Sequence, residues 1–294
     1  MQTGKVSAMN KEARLINKVK RLLRKANIPD WLHRFGPKKY RFCHHAAALI
    51  VRAVCRLSFR KVVWLLRSLG IRCPAKSTLN DTARKVPSAL WQKLLALTHK
   101  CASVAAIDST GLSRTNPSHH YLFRMGRKLP KTHVKLSILA DTENKRFLDA
   151  EIRVLPAHDI KDAKALIGRN KFSVLVGDKG YDAEWLHRLC REKGIAVCIP
   201  VRNKGKSGHY SWSLRRTAWK TFDWRLYHRR EIAEALFHAL KTTMGYCVSA
   251  KRALTVRAEV YLRLIAYNLF YVLIVVSGQS PLFILSRVEI YGLH

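Results

Sequence analysis

The sequence predicts an α/β protein in which a mixed β-sheet is flanked by helices and follows an all-α, strongly basic region. Apolar residues recur at helical spacing before residue 100. Between residues 101 and 200 they form short β-branched runs and alternating segments, which are typical of strands. The charge changes at the same place, because residues 1–100 contain 23 Lys and Arg against three acidic residues, whereas residues 101–200 contain 17 against 11. A chain of 294 residues is long enough for two domains.

Residues 1–97, the first predicted domain, are expected to be helical. Ser58 is a suitable N-cap for the third helix, Gly70 is suitable for its end, and Ser77 is the expected cap of the fourth helix. The predicted helices are Lys11–Ala26, Arg41–Leu57, Phe59–Leu69 and Thr78–Val86.

Residues 58–86 have the order helix, tight turn, helix, which is typical of a helix-turn-helix DNA-binding motif. The second helix of that motif enters the major groove, so its polar residues would face DNA. These residues are Lys76, Thr78, Asn80, Arg84 and Lys85. An ordinary helical hairpin has the same pattern, and both interpretations stay open.

Residues 98–276 are the second predicted domain, and residues 277–294 are a C-terminal tail. Alternating apolar residues predict an antiparallel hairpin within residues 134–154. Asp159 and Asp182 are the expected caps of two helices. The other predicted strands are Val104–Asp108, Ser173–Asp178 and Ile195–Pro200. The resulting order of strand, hairpin, helix, strand, helix, strand and helix is expected of an RNase H-like fold.

Two of the predicted strands end in an aspartate, at Asp108 and Asp178. Ligand-binding and catalytic groups of open α/β sheets gather at the carboxyl ends of strands. An aspartate at such a position is also common as a turn or cap residue. The combination of two such aspartates with a third carboxylate is what favours a site.

The third carboxylate lies on a predicted helix that starts at Tyr227. At about 100° per residue, Arg230, Glu234 and Lys241 share a sector of roughly 60° with that tyrosine. Taken alone, this stripe is explained by a solvated face with an ion pair. Together with the two aspartates it predicts a three-carboxylate site for Mg²⁺, which prefers oxygen ligands, beside groups that bind phosphate.

These four residues carry a specific resemblance. The pattern Tyr227-x2-Arg230-x3-Glu234-x6-Lys241 matches every position of the Y-x2-R-x3-E-x6-K signature of DDE insertion-sequence transposases. The chain therefore resembles the group that joins insertion-sequence families four and five.

The two aspartates resemble the first two acidic residues of that family. Asp108 lies in the sequence Ile107–Gly111 and Asp178 in the sequence Gly177–Asp182. The resemblance extends from about residue 104 to residue 273.

The resemblance implies a transposase that cuts and joins DNA ends with two Mg²⁺ ions, for which Mn²⁺ is a substitute. The implied catalytic residues and metal ligands are Asp108, Asp178 and Glu234. The residues implied to hold DNA phosphates are Tyr227, Arg230 and Lys241. The expected partners are double-stranded DNA with terminal inverted repeats and a target DNA, bound by a homodimer, and a membrane is not among them.

Residues 201–226 form a short insertion rich in cations and aromatic residues. Cations that follow phosphates and rings that stack on bases are typical of a site for single-stranded DNA or a flipped base. Trp212 and Trp219 are the candidates for stacking. Aromatic residues that anchor a loop to the core would have the same composition, and this alternative stays open.

The net charge of +36 indicates a polyanionic partner. A ribosomal or chromatin-type basic protein seldom has 48% hydrophobic residues and a buried sheet, so that class is disfavoured. The seven cysteines include no C-x2-C pair, which favours reduced thiols over a disulfide framework or a zinc site. We expect a cytoplasmic, nucleoid-associated protein of a prokaryote.

The most apolar segment, Val260–Val276, is interrupted by Arg263 and Asn268. About 20 uninterrupted apolar residues are needed to span a membrane. We therefore expect a buried helix that covers the sheet.

Two other function classes are considered. A tyrosine recombinase is disfavoured, because that class generally needs His-x2-Arg and no histidine of this chain has an arginine three places on. A catalytically idle DNA-binding regulator derived from a transposase stays open. Terminal inverted repeats around the gene would distinguish a mobile element from a regulator.

Overall fold

A computed structural model of the chain describes residues 16–35, 38–114, 124, 126, 133–155, 157–202 and 214–277, with side chains as far as residue 270. Contacts group them into two compact units. The first contains the described residues up to Thr98, Leu240–Gly245, and those from Ala250 onward. The second contains those between His99 and Ala239, together with Tyr246–Ser249. Beyond Ser277, the predicted C-terminal tail lies outside the described residues.

The helices and strands are numbered here in chain order. The helices are α1 (16–25), α2 (Phe42–Val54), α3 (Phe59–Ser68), α4 (Lys76–Lys85), α5 (Ser88–Ala96), α6 (Ile160–Arg169), α7 (Glu184–Glu192), α8 (Leu214–Lys220), α9 (Trp224–His228), α10 (Glu231–Met244) and α11 (Ala253–Ser277). The strands are β1 (Val104–Arg114), β2 (His133–Asp141), β3 (Arg146–Arg153), β4 (Val174–Gly177), β5 (Ala196–Cys198) and β6 (Cys247–Val248), and a short 3-10 helix covers Lys179–Tyr181.

The sheet of the second unit has the strand order β3-β2-β1-β4-β5. Strands β1, β2 and β3 are antiparallel neighbours, whereas β1, β4 and β5 are parallel. The strand β6, which the sequence did not predict, pairs with the far end of β1. The mixed sheet flanked by helices is confirmed, and its elements follow the order predicted for an RNase H-like core.

The core of the second unit includes apolar residues of both the sheet and the helices. Leu166 of α6 and Leu186 of α7 belong to the same buried cluster as Ile107 of β1 and Leu175 of β4. Burying each such side chain contributes about 1.5–3 kcal/mol. This packing holds β1 and β4 in place, and the two predicted site aspartates lie on or directly after these strands.

Strand β2 is more deeply buried than its alternating pattern predicts. Ser137, which alternates with the apolar residues of this strand, is fully buried and donates a hydrogen bond of 2.6 Å to Asp162. Asp162 is also fully buried and is bound by Arg153 of β3. The Arg153 cation thus neutralises Asp162 inside the protein.

The predicted helix caps are confirmed only in part. The Ser58 side chain accepts a hydrogen bond from the Lys61 amide, and α3 is followed by Gly70 at a φ of +73°, where glycine is favoured. Ser77 is not a cap, because α4 begins one residue earlier, at Lys76. Asp159 also makes no capping bond, since its carboxylate pairs with the Lys135 ammonium at 2.8 Å.

Helix α11, which was expected to cover the sheet, belongs to the first unit. It packs against α2, α4 and α5. The two polar residues that interrupt its apolar run have partners there: Arg263 binds Glu259 at 2.7 Å, and Asn268 donates to the Thr98 hydroxyl at 2.6 Å. The apolar character of the segment therefore predicted burial correctly but not the surface against which it is buried.

No helix in the part of the chain that the structure describes is both long and apolar enough to cross a membrane.

Replacing Gly177 by Ala is expected to lower the free energy of unfolding by about 1–3 kcal/mol, a cost typical of an overpacked core. The added methyl group would lie 2.8 Å from Cγ2 of Ile107. Gly168→Ala is the matched control, because nothing lies within 4 Å of that Cβ position. Urea unfolding of both variants measures the difference. A Gly177→Ala protein as stable as the parent would show that β1 and β4 are free to separate.

Candidate active site

The pairing of β1 with β4 brings Asp108 and Asp178 to neighbouring positions. The parallel register joins Ile107 to Gly177, and each aspartate is the next residue along the chain. Neighbouring strands lie about 4.8 Å apart. The expectation that Asp108 ends its strand is wrong, because β1 continues to Arg114. Only β4 ends here, so Asp108 is half-buried where its neighbour strand stops.

Asp108 lies in surroundings that disfavour its charge. Burial raises the pKa of its carboxyl group, and the carboxylates of Glu234 and Asp178 raise it further. The Ser109 amide, which donates to Oδ1 at 2.7 Å, and the Arg230 guanidinium oppose this rise. The carboxylates of Glu234 and Asp178 therefore both act electrostatically on Asp108 within the second unit.

Asp178 lies between β4 and the 3-10 turn Lys179–Tyr181. It is in the N-cap position of that turn, but its side chain makes no capping hydrogen bond. Tyr181 is buried in the core of the second unit and anchors the turn. The backbone around Asp178 is thus fixed, while its carboxylate is not used to hold the turn.

The continuous helix predicted from Tyr227 is interrupted. Helix α9 ends at His228 and α10 starts at Glu231, with a turn between them. The amide of Arg230 bonds to the carbonyl of Tyr227 at 2.9 Å, a spacing of three residues rather than the four of an α-helix. The break leaves Arg230 close to the first turn of α10.

Arg230 joins the predicted carboxylate of this helix to the predicted tyrosine. Its Nη1 lies 2.6 Å from Oε1 of Glu234, and its guanidinium lies 5.6 Å from the ring centre of Tyr227. Burial lowers the pKa of Arg230, but Tyr227, Glu234 and Asp108 outweigh that effect and raise it. The Glu234 side chain remains 54% exposed, so it is accessible from solvent.

The chemistry of these residues fits a hard divalent cation, which takes oxygen ligands. Within the described residues, however, no three acidic, histidine or cysteine side chains are grouped closely enough to hold a metal ion as they stand. Glu234 is bound to Arg230 instead. Oxygen donors of the type that Mg²⁺ takes are therefore present, but the grouping that would hold the ion is not formed among the described residues.

The other predicted site residues lie in other parts of the chain. Lys241 lies in the last turn of α10, seven residues or about two turns beyond Glu234, and this part of the helix belongs to the first unit. Lys76 and Arg84 are exposed on α4 of the first unit, where Arg84 lies 3.8 Å from Asp81. Two tryptophans remain, of which Trp219 is exposed on α8 and Trp212 lies outside the described residues.

An aromatic cluster, which the sequence did not single out, borders the site. Phe222, Trp224 and Tyr227 have ring centres 5.1–5.9 Å apart. Asp223 caps α9 between them by accepting from the amides of Arg225 and Leu226. Trp224 is 61% exposed, although its ring is held by these contacts. In the sequence it was one of several aromatic residues of the insertion, and nothing in the pattern distinguished it.

Asp182 is a buried junction and not the helix cap that the sequence predicted. Helix α7 begins after Ala183, and the side chain of Asp182 accepts from the Arg202 amide at 2.8 Å and from Nε of Arg215 at 2.8 Å. His187 Nε2 lies 3.3 Å from the same carboxylate. Burial alone would raise the pKa of Asp182, but these partners lower it to about 2. The junction ties Arg202 and Arg215, both within the predicted insertion, to the residue that follows the 3-10 turn after Asp178.

Comparison with known proteins finds one family. The sequence profile of the family described as "Transposase DDE domain" matches residues 99–269. No curated protein is similar enough in sequence to be counted as a relative.

Two solved structures show weak similarity. One is the cryo-EM structure of a piggyBac transposase synaptic complex with hairpin DNA, at 11% identity and a TM-score of 0.46, covering 96% of this chain and 79% of that chain. The other is the crystal structure of the catalytic core domain of BIV integrase, at 14% identity and a TM-score of 0.31, covering 64% of this chain and 96% of that chain. At these TM-scores neither structure is a guide to this chain.

Replacing Asp182 by Asn is expected to destabilise the protein near neutral pH and much less in acid. The folded pKa of about 2 lies below the unfolded value of about 3.9, so the stabilisation is present above about pH 4 and lost as the pH falls towards 2. Urea unfolding of both proteins at about pH 7 and about pH 3 measures this.

Asp81→Asn is the control for that experiment. Its ion pair with Arg84 is half-exposed, and such pairs contribute about 0–1 kcal/mol. A loss of stability for Asp182→Asn that does not depend on pH would contradict the charged junction.

Proposed function

Because the chain belongs to the family of transposase DDE domains, we propose that it is a metal-dependent DNA transposase that cuts the ends of an insertion sequence and joins them to a target DNA. Three observations support this most: Asp108 and Asp178 directly follow paired residues of β1 and β4, the charge of Glu234 acts on Asp108, and Arg230 pairs with Glu234.

In this proposal Asp108, Asp178 and Glu234 would together hold two Mg²⁺ ions, as the family resemblance implies. Burial raises the pKa of Asp108, and the negative charges of Glu234 and Asp178 raise it further. A bound cation would relieve that repulsion. When bound, the ions would activate a water molecule or a 3′-hydroxyl and neutralise the charge of the leaving oxygen.

Arg230 would have two partners in the proposed function. It pairs with Glu234, and it would bind a DNA phosphate if Glu234 held a metal ion instead. Charge-assisted bonds of guanidinium to carboxylate and to phosphate are similar in geometry and strength, so the exchange costs little. Tyr227, next to Arg230, and Lys241, two turns along α10, hold flanking phosphates.

Recognition of the element is proposed to reside in the helices before residue 98. Residues 58–86 contain α3, a turn and α4, and Lys76 and Arg84 are exposed on α4. We assign these side chains to double-stranded DNA with terminal inverted repeats, bound by a homodimer that presents two copies of each site. Trp212 and Trp219 of the insertion are assigned to unpaired or flipped bases at the cut end.

A catalytically idle regulator with the same DNA-binding surface is the second candidate. It would bind the same DNA ends, but it would not need the three carboxylates to lie close to one another. The neighbouring positions of Asp108 and Asp178 on β1 and β4, together with Glu234 beside Arg230, favour the enzyme.

Glu234→Gln is expected to reduce strand cleavage at least a hundredfold while leaving DNA affinity nearly unchanged, because the amide keeps the shape but cannot replace a carboxylate ligand. Glu231→Gln is the matched control on the same helix, where the carboxylate contacts His228 at 3.1 Å instead. A nicking assay on labelled DNA measures both variants. Equal loss in both would show that helix α10 as a whole, rather than Glu234, supports cleavage.

Cleavage is expected to appear with Mg²⁺ or Mn²⁺ and to vanish in EDTA, since three carboxylates without a cation repel a phosphate. An independent readout is Mn²⁺ binding measured by electron paramagnetic resonance, which should be lost in Asp108→Asn. Undiminished cleavage in chelator would refute the metal-dependent mechanism.

A further inference from the structure

Helix α3 exposes a tryptophan at the centre of its polar face. Trp64 is 71% exposed, although large aromatic side chains are normally buried. Four residues that share this face are also exposed. They are Arg60, Lys61, Arg67 and Ser68.

Helical geometry places Trp64 on the side of α3 opposite its buried residues. At about 100° per residue, the buried Val62, Val63 and Leu66 lie within roughly 100° on one side of α3. On the opposite side the exposed polar residues span roughly 120°, and Trp64 lies close to the middle of that arc. An amphipathic helix would have a polar residue here, so the ring is not needed for folding.

We infer that the exposed face of α3 is a DNA-contacting surface in which Trp64 inserts its ring against the duplex and Arg60, Lys61 and Arg67 bind the flanking phosphates. The inference rests on the proposed function and extends DNA contact from α4 to the helix before it. Apolar side chains that enter a groove between phosphate-bound cations are a known mode of duplex binding.

Charge complementarity selects DNA as the occupant. Helix α3 carries three cations and no acidic residue, and none of these cations forms an ion pair with another described residue. By contrast, the exposed surface of α4 includes Asp81, which lies 3.8 Å from Arg84. A second copy of a chain with a net charge of +36 would bring like charges onto this face. A polyanion neutralises them.

Binding of a fluorescent duplex, measured by anisotropy in EDTA over a range of salt concentrations, tests the surface without catalysis. Trp64→Ala is expected to weaken affinity about tenfold without changing the slope of log K against log salt, because it removes no counterion-releasing charge. The double variant Arg60→Ala with Arg67→Ala is expected to reduce the slope by about 0.9 for each phosphate that the protein no longer neutralises. Trp185→Ala, an exposed tryptophan on α7 of the second unit, is the control and is expected to bind as the parent does.

The possible outcomes separate this inference from the proposed function. Parent-like binding by Trp64→Ala, or absence of duplex binding by the parent protein, overturns it. A change from dimer to monomer in Trp64→Ala without DNA, measured by sedimentation, also overturns it, because the face would then join two copies. Trp64-dependent binding by a protein that does not cut DNA supports the surface while refuting the transposase activity.

Discussion

The close approach of Gly177 to Ile107 is the constraint on which the candidate site depends. Strands β1 and β4 pair in parallel at this point, and any side chain on Gly177 would push against the Cγ2 methyl group of Ile107. Because each aspartate follows one residue later, their separation is determined by the spacing between these strands. The carboxylates themselves contribute nothing to that pairing, since burial and mutual repulsion disfavour the charge on Asp108. The hydrophobic core therefore brings two mutually repelling groups together.

Much of the fold was predictable because runs of β-branched residues and the alternation of apolar with polar residues are local features of the sequence. The order of strands, the hairpin and the cap at Ser58 are of this kind. Features that depend on a distant partner were not predictable. The apolar run of α11 indicated burial but not its packing against α2, α4 and α5. The carboxylate of Asp182 looked like a helix cap because its partners Arg202 and Arg215 lie far along the chain.

The candidate site shows the same division. The signature spacing identified Glu234 and Arg230, and the structure joins them in an ion pair. The signature spacing did not indicate the turn between α9 and α10, because Arg229 and Arg230 are good helix formers. The turn is visible only in the structure, where the Arg230 amide bonds to a carbonyl three residues earlier. An isolated helical projection therefore predicted that Arg230 lies beside Glu234 and Tyr227, as the structure shows, while assuming a helix that is not continuous.

The junction at Asp182 has a consequence for how this chain can vary. Arg202 and Arg215 both bind one carboxylate, so the segment between them starts and ends at the same point of the second unit. The free-energy cost of closing a loop, which comes from lost chain entropy, rises by only about 0.6 kcal/mol for each doubling of the loop's length. A much longer insertion could therefore be accepted here without displacing Asp178 or the strands beneath it. A new domain could therefore be inserted between Arg202 and Arg215 while the sheet of the second unit keeps its structure.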